Sequence, residues 1–319
     1  MTRSRNRHLG WGLLLIALFP GGCASMEPPV IAAEDAPGSE GIAQSVSGVV
    51  IEHDQSRLRE LERTVTRMHA DGRLTPLKQV QAGLDRRTCR LNLPPPPSPA
   101  SSAGEIYKNA RSSVMLHGFY YKCGRCPNWH VNVATCFALT SDGVFAANYH
   151  AFDNRENELT GMVVATEDGR VFPVTEVLAA NPADDVCLFR ADLGGERVTP
   201  LPLAERPEAP GESVYVLSHP SGHHYMFTSG MVSRYAVQPA RSASAGRGRE
   251  MTARMYITAD YAKGSSGGPI INRRGEVVGM VSSTASIYYT EENGNQNNLQ
   301  MVLKLCVPLM SIRALLGAP

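Results

Sequence analysis

From about residue 103 to the end, short apolar runs recur between turn residues. Ser113 to Leu116, Thr135 to Leu139, Val171 to Leu178, Val186 to Arg190, Val214 to Leu217 and Glu276 to Ser282 are the clearest. Gly143, Gly169, Gly194-Gly195 and Arg274-Gly275 punctuate them. Strand-length runs closed by tight turns predict an all-β domain over 105–319, of a length that suits two packed six-stranded antiparallel barrels. Upstream the period changes. Leu58, Leu61, Val65 and Met68 recur at helical spacing, and Asp71-Gly72 is a turn signal. Thr75-Pro76 then opens a second apolar face at Leu77, Val80 and Leu84. The pattern predicts an α-helical hairpin within 53–91, with helices from about 54 to 87. Its apolar stripes either pack on the β domain or recruit a partner. Between the two lies a stiff linker at 92–104, built around Pro94-Pro95-Pro96-Pro97.

The first 24 residues read as an export signal. Arg3, Arg5 and Arg7 precede an apolar core, Leu9 to Phe19, that is too short to span a bilayer. Gly22-Cys23-Ala24 then allows two readings: lipidation of Cys23 as a bacterial lipoprotein, or cleavage after Ala24. Residues 25–52, rich in Ala, Gly, Ser and Pro, read as a flexible tether. Both readings place the folded part outside the cytoplasm, periplasmic or on the outer surface, with the membrane reached only through that anchor.

Composition narrows the functional classes. Hydrophobic residues make up 43% of the chain, enough for a full core, and the formal net charge is +1. That balance gives no pull toward nucleic acid. The arginines between Arg241 and Arg254 have no aromatic beside them to stack a base, so that stretch reads as a mobile surface loop. No glycine-rich nucleotide loop opens a helix, and no cofactor is expected. Seven cysteines are present. Cys123 and Cys126, with His130 following, allow a disulfide, a zinc site needing a further ligand, or redox chemistry. An exported chain favours the disulfide, with no metal. Cys136, Cys187 and Cys306 sit in apolar runs as buried thiols, and His223-His224 reads as a solvated loop.

The chemistry concentrates at Gly264-Ser265-Ser266-Gly267-Gly268-Pro269. Glycines here suit a tight loop that aims the amides of Gly264 and Ser266 at one point, where a developing oxyanion would sit. A serine hydroxyl needs a base, and the base a third group to hold its tautomer. Val144-Phe145-Ala146-Ala147-Asn148-Tyr149-His150 is a buried strand running into a histidine. Asp184-Asp185-Val186-Cys187-Leu188 places a carboxylate directly before an apolar run.

These motifs resemble those of trypsin-like serine peptidases, of the Deg/HtrA-related type. Val216 to Gly222, Phe227 to Ser233 and Leu305 to Pro308 extend the resemblance across nearly all of 105–319. It implies a chymotrypsin-like fold ending in a short C-terminal helix, and a serine endopeptidase acting on polypeptides. The implied nucleophile is Ser266, the base His150 and the orienting acid Asp185, with Asp184 its neighbour. The oxyanion hole falls to the Gly264 and Ser266 amides. Asp260, at the spacing of a pocket floor that selects Lys or Arg, is a substrate-binding candidate together with Ser282 and Ser283. Position 265 is serine rather than an acid, so activation by a newly cut amino terminus is not expected. Nor is a PDZ module after the barrels. The rival reading is a non-catalytic scaffold of the same fold, recruiting partners through the helical hairpin.

Overall fold

The computed structural model describes residues 41–95, 101–124, 126–153, 159–240, 250–292 and 295–317. The export signal and Cys23 lie outside these residues. Strands β1 (Ala43–Val46) and β2 (Val49–Glu52) form a small antiparallel hairpin where the sequence reads as a tether. It turns at Ser47-Gly48, both with positive φ. Helix α1 (Asp54–Ala70) follows, then a single short helix α2 (Leu77–Gln81).

The helical hairpin is therefore half right. α1 has the expected extent, but α2 stops well before residue 87. Gly83 explains the stop. A Cβ there would lie 2.0 Å from the carbonyl oxygen of Val177, so the chain presses backbone to backbone against the β domain. Arg86 then donates to that same carbonyl at 2.9 Å and Arg87 to the carbonyl of Ala180 at 3.1 Å. These tertiary bonds take the place of a continuing helix.

Helix α3 (Ala103–Arg111) replaces the expected end of the linker. Ser102 accepts from the Glu105 amide while the Glu105 carboxylate accepts from the Ser102 amide, a reciprocal cap that fixes its start. Ile106 and Ala110 on its inner face enter the main core.

Barrel one contains β3 (Val114–Lys122), β4 (Trp129–Ala138), β5 (Val144–Ala147), β6 (Leu159–Ala165), β7 (Val171–Asn181) and β8 (Val186–Ala191). It closes in the order β3-β4-β5-β8-β7-β6. Barrel two contains β9 (Ser213–Ser218), β10 (Met226–Pro239), β11 (Met251–Ile257), β12 (Pro269–Asn272), β13 (Val277–Glu292) and β14 (Asn295–Pro308). It closes in the order β10-β11-β14-β13-β12-β9, and a short helix α4 (Leu309–Arg313) follows. All neighbours in both barrels run antiparallel. This is the all-β, two-barrel architecture that the strand pattern predicts.

β3 shows why the pattern there does not alternate. Val114 to Tyr120 is buried on both faces of the strand. Met115 and Phe119 point into barrel one, while Leu116 and Tyr120 pack against Leu61, Val65 and Met68 of α1. A strand covered by its own barrel on one side and a helix on the other has no solvent face to be polar. The apolar stripe of α1 is thus spent on the chain's own β domain, which removes it as a partner-recruiting surface. Two further ties hold this segment. Asp54 accepts from the His224 amide and ring, both at 2.9 Å, and Glu52 pairs with Arg57 and Arg111. His224 is accordingly buried, not a solvated loop residue. No described helix is long and apolar enough to cross a membrane.

Candidate active site

The site forms where the barrels meet. The core cluster there runs from Phe137, Leu139, Ala146, Val186 and Leu188 of barrel one to Val214, Val216, Ile270 and Met280 of barrel two. β5 delivers its carboxy-terminal end to this seam. Asn148 follows, fully buried, and a single 3-10 turn, Tyr149–Ala151, presents the half-buried ring of His150.

The turn between β7 and β8 supplies the carboxylate. Asn181 Oδ1 accepts from the amides of Ala183 and Asp184, at 2.9 and 3.2 Å, and so bends the chain. Asp185 then takes a left-handed backbone, φ 62°, uncommon for a residue with a Cβ and found most readily among Asn and Asp. The Asn148 side chain donates to the Asp185 carbonyl at 3.0 Å and locks the two segments together. With its backbone so turned, the Asp185 carboxylate accepts from His150 Nδ1 at 2.9 and 3.0 Å and from the His150 amide at 3.1 Å. Ser282 Oγ, on β13 of barrel two, donates to its second oxygen at 2.6 Å.

Burial alone would raise the pKa of Asp185. The charge of His150 and these hydrogen bonds outweigh it and hold the carboxyl below its ordinary 3.8. His117, buried behind this pair, is pushed down to about 3 by burial first and by His150 second, so it stays neutral. Asp184 faces elsewhere. It accepts from Asn181 Nδ2 at 3.1 Å and from the Thr252 hydroxyl.

The serine loop leads from β11 into β12. Gly264 and Gly267 have φ of 93° and 85°. A Cβ on Gly267 would lie 2.0 Å from the Thr135 carbonyl oxygen, and one on Gly264 would lie 2.6 Å from the carbonyl oxygen of His219. Only glycine fits either place. β4 clamps the loop from outside: Thr135 Oγ1 donates to the Gly264 carbonyl at 2.9 Å and the Thr135 amide to the Ser266 carbonyl at 3.0 Å. The amides of Gly264 and Ser266 donate to no acceptor among the described residues. Ser265 is buried, its hydroxyl sharing a 3.0 Å bond with Ser218 Oγ.

Ser266 Oγ donates to the Ser282 carbonyl at 3.4 Å, and no hydrogen bond joins it to His150 among the described residues. Ser282 therefore touches the serine through its backbone and the carboxylate through its side chain. It serves the ordering of the site, where the sequence reading placed it among substrate contacts. Ser283 offers its carbonyl to the Tyr261 hydroxyl at 2.8 Å.

The expected pocket floor is arranged differently. Asp260 is 85% exposed and pairs with Lys304 Nζ at 3.0 Å, so its charge is turned outward and already matched. The next residue, Tyr261, goes inward instead. Its buried hydroxyl donates to the carbonyls of Ser283 on β13 and Leu305 on β14, at 2.8 and 2.9 Å. The phenol hydroxyl thus reaches both strands where their register shifts, at the Ser283–Leu305 pair.

Two more expectations change. Arg254 is no surface-loop residue: it is buried on β11, donating to the Ala183 and Asp184 carbonyls at 3.1 and 3.2 Å. It ties barrel two to the turn that carries Asp185, and no periodicity in the strand betrays it. Residues 241–249 of that stretch lie outside the described residues. Cys123 and Cys126 are not joined by a disulfide, and neither is any other described cysteine. Their sulfurs and a ring nitrogen of His130 lie within 4.8 Å of one another instead. Cys136, Cys187 and Cys306 are buried thiols as the pattern predicts.

Known proteins resemble this chain over the barrel region. Residues 134–280 match the family model of the trypsin-like peptidase domain. Serine protease HTRA2, mitochondrial, of Drosophila pseudoobscura pseudoobscura is 30% identical over 46% of this chain and 33% of its own length. The Bos taurus protein of that name is 29% identical over 58% of this chain and 40% of its own. Serine protease PepD of Mycobacterium tuberculosis is 28% identical over 39% and 26%. The chain thus spans between about a quarter and two fifths of the length of these relatives. A solved structure of Rv3671c from M. tuberculosis covers 70% of this chain and 95% of its own, with 18% identity and a TM-score of 0.49.

Proposed function

We propose that this trypsin-like peptidase domain is a serine endopeptidase, with Ser266 as nucleophile, His150 as general base and Asp185 as the acid that orients it. One observation carries the reading: a buried carboxylate grips His150 Nδ1 and the adjoining backbone amide together, which fixes the tautomer and aims Nε2 away from it. A histidine held that way accepts a proton at Nε2 and becomes an imidazolium next to a lasting negative charge.

In the reaction, Ser266 Oγ attacks the scissile carbonyl as its proton passes to His150 Nε2. The amides of Gly264 and Ser266, which donate to no acceptor among the described residues, receive the oxyanion of the tetrahedral intermediate. His150 then gives the proton to the leaving amine, and water repeats the cycle on the acyl-enzyme. Ser266 leaves the Ser282 carbonyl and turns to His150 when substrate fills the seam, since catalytic hydrogen bonds often tighten only in the substrate complex. With Tyr261 turned inward the side-chain pocket would be shallow, and the Asp260 carboxylate is already paired with Lys304. Substrates with a small apolar residue before the cut fit that pocket. The N-terminal pattern of arginines, apolar core and Cys23 supports an exported, membrane-tethered enzyme.

A fluorophosphonate probe tests the chemistry. The full chain is expected to label at one serine, and Ser266→Ala and His150→Ala to lose labelling. By the subtilisin case, loss of either residue costs on the order of 10⁶ in rate. A folded chain that never labels would overturn the peptidase reading and leave a binding role for the fold.

A further inference from the structure

We propose that Cys123, Cys126 and His130 bind a divalent zinc ion, in a site distinct from the peptidase centre. The three side chains sit at the tip of the β3–β4 hairpin. Cys123 closes that tip through its amide, which donates to the Asn128 carbonyl at 3.1 Å. Two residues separate the cysteines, and the histidine follows four residues after the second. Turn and strand together bring the two sulfurs and one ring nitrogen within 4.8 Å of one another. Bonds from zinc to sulfur run about 2.3 Å and to nitrogen about 2.0–2.1 Å, so tetrahedral neighbours stand roughly 3.5–4 Å apart. The cluster brackets that range: Cys126 Sγ and His130 Nε2 are 3.2 Å from each other, and all three atoms lie within 4.8 Å, so small side-chain shifts would seat the ion.

The orientation of the histidine is the second, independent observation. His130 turns Nε2 toward the sulfurs and Nδ1 toward Glu62 of α1, with Nδ1 to Oε1 at 3.2 Å. A carboxylate that accepts a hydrogen bond from Nδ1–H leaves Nε2 as the lone-pair nitrogen facing the thiols. This is the outer partner that metal-bound histidines usually have. The residues come from two elements distant in sequence, so the ring is held by more than its own hairpin.

Binding needs no oxidant. Each cysteine loses its thiol proton to solvent as its sulfur bonds the metal, and His130 enters neutral through Nε2 with its Nδ1 proton retained for Glu62. Three protein ligands leave a fourth position for water. The filled site would cross-link the hairpin tip to α1 through His130 and Glu62. β4 then runs from His130 to Thr135, the residue that clamps the serine loop.

The test uses the full chain, stripped of metal by a chelator under reducing conditions and titrated with Co²⁺ and then Zn²⁺. The expected result is one thiolate-to-cobalt charge-transfer band, saturating at one equivalent and bleached by Zn²⁺. Peptide mapping is expected to show Zn²⁺ shielding Cys123 and Cys126, and not Cys89, from alkylation. His130→Ala should abolish the band, and Glu62→Gln should weaken binding by ~10-fold or more. Should His130→Ala fail to fold, the alkylation pattern of the unaltered chain decides. Overturning results would be no band from the reduced protein, equal alkylation with and without Zn²⁺, or an unchanged band in His130→Ala. Recovery of the two cysteines as a disulfide that takes up no metal after reduction would overturn it as well.

Discussion

Removing one hydroxyl at Ser282 isolates the electrostatics of the site. In Ser282→Ala, the Asp185 carboxylate loses a 2.6 Å donor and keeps its bonds from the His150 ring and amide. Asp185 is 2% exposed, so water does not readily replace that donor. A hydrogen bond to a charged buried group contributes about 1.5–3 kcal/mol, and stability at neutral pH should fall by that amount. The pH dependence has a definite sign. The folded pKa of Asp185 is lowered, so its contribution is present above the ordinary 3.8 and is lost as pH falls through the folded value. The substitution raises that folded value, and the variant starts to lose the contribution at a higher pH. The gap between the two proteins is therefore full at neutral pH and shrinks toward strong acid, where both carboxyls are protonated. Urea unfolding of both proteins across pH measures it. The rate of fluorophosphonate labelling should fall about tenfold, matching ~1.4 kcal/mol. That is far short of the ~10⁴ that the orienting carboxylate itself is worth in trypsin. A gap independent of pH, or below about 0.5 kcal/mol throughout, would refute the argument.

Gly267 of the serine loop and Gly195 of the loop after β8 form a matched pair for substitution. Gly267→Ala forces a methyl to 2.0 Å from the Thr135 carbonyl at φ 85°, whereas Gly195→Ala, at φ 89°, meets nothing within 4 Å. Urea midpoints should show a loss of at least ~3 kcal/mol for the first and ~1–2 kcal/mol for the second; equal losses would mean that the close approach does not matter. A peptide library should show cleavage after Ala or Val at least ~10-fold above Lys or Arg, and Tyr261→Ala should broaden acceptance toward larger side chains. A preference for Lys or Arg in the unaltered chain would refute the filled pocket and restore Asp260 as its floor.

What the sequence disclosed and what it hid divide along a physical line. Most strands of the two barrels, the face of α1 and the local motifs around His150, Asp185 and Ser266 are legible because each depends on neighbours in sequence: short apolar runs between turns, helical spacing, a turn beside an apolar run. The site's remaining parts depend on residues far apart. Tyr261 is held by carbonyls 22 and 44 positions away, Arg254 by a turn 70 and 71 positions away, and Ser282 reaches Asp185 across 97. No period or motif encodes such meetings. The end of α2 was open to a sharper reading, since Gly83 stands in the sequence as a place where backbones can touch. Cys-x-x-Cys with a following histidine was visible as a cluster. Its spacing alone did not decide between a sulfur–sulfur bond and a shared ligand, which is a question of where Glu62 on α1 comes to lie.

The double coverage of β3 decides where the polypeptide can be cut. A fragment begun after α1 would uncover Leu116, Tyr120, Val131 and Val163, now sealed beneath Leu61, Val65 and Met68, as a greasy outer wall on barrel one. A fragment begun after β3 would fare worse, since β4 and β6 both lose their ladder partner and the ring opens into two bare edges. Loss of β14 opens the other ring in the same way, between β11 and β13. The motifs proposed for catalysis lie between residues 148 and 268, but the shortest excised piece expected to stay dispersed in solution runs from α1 to the end of β14.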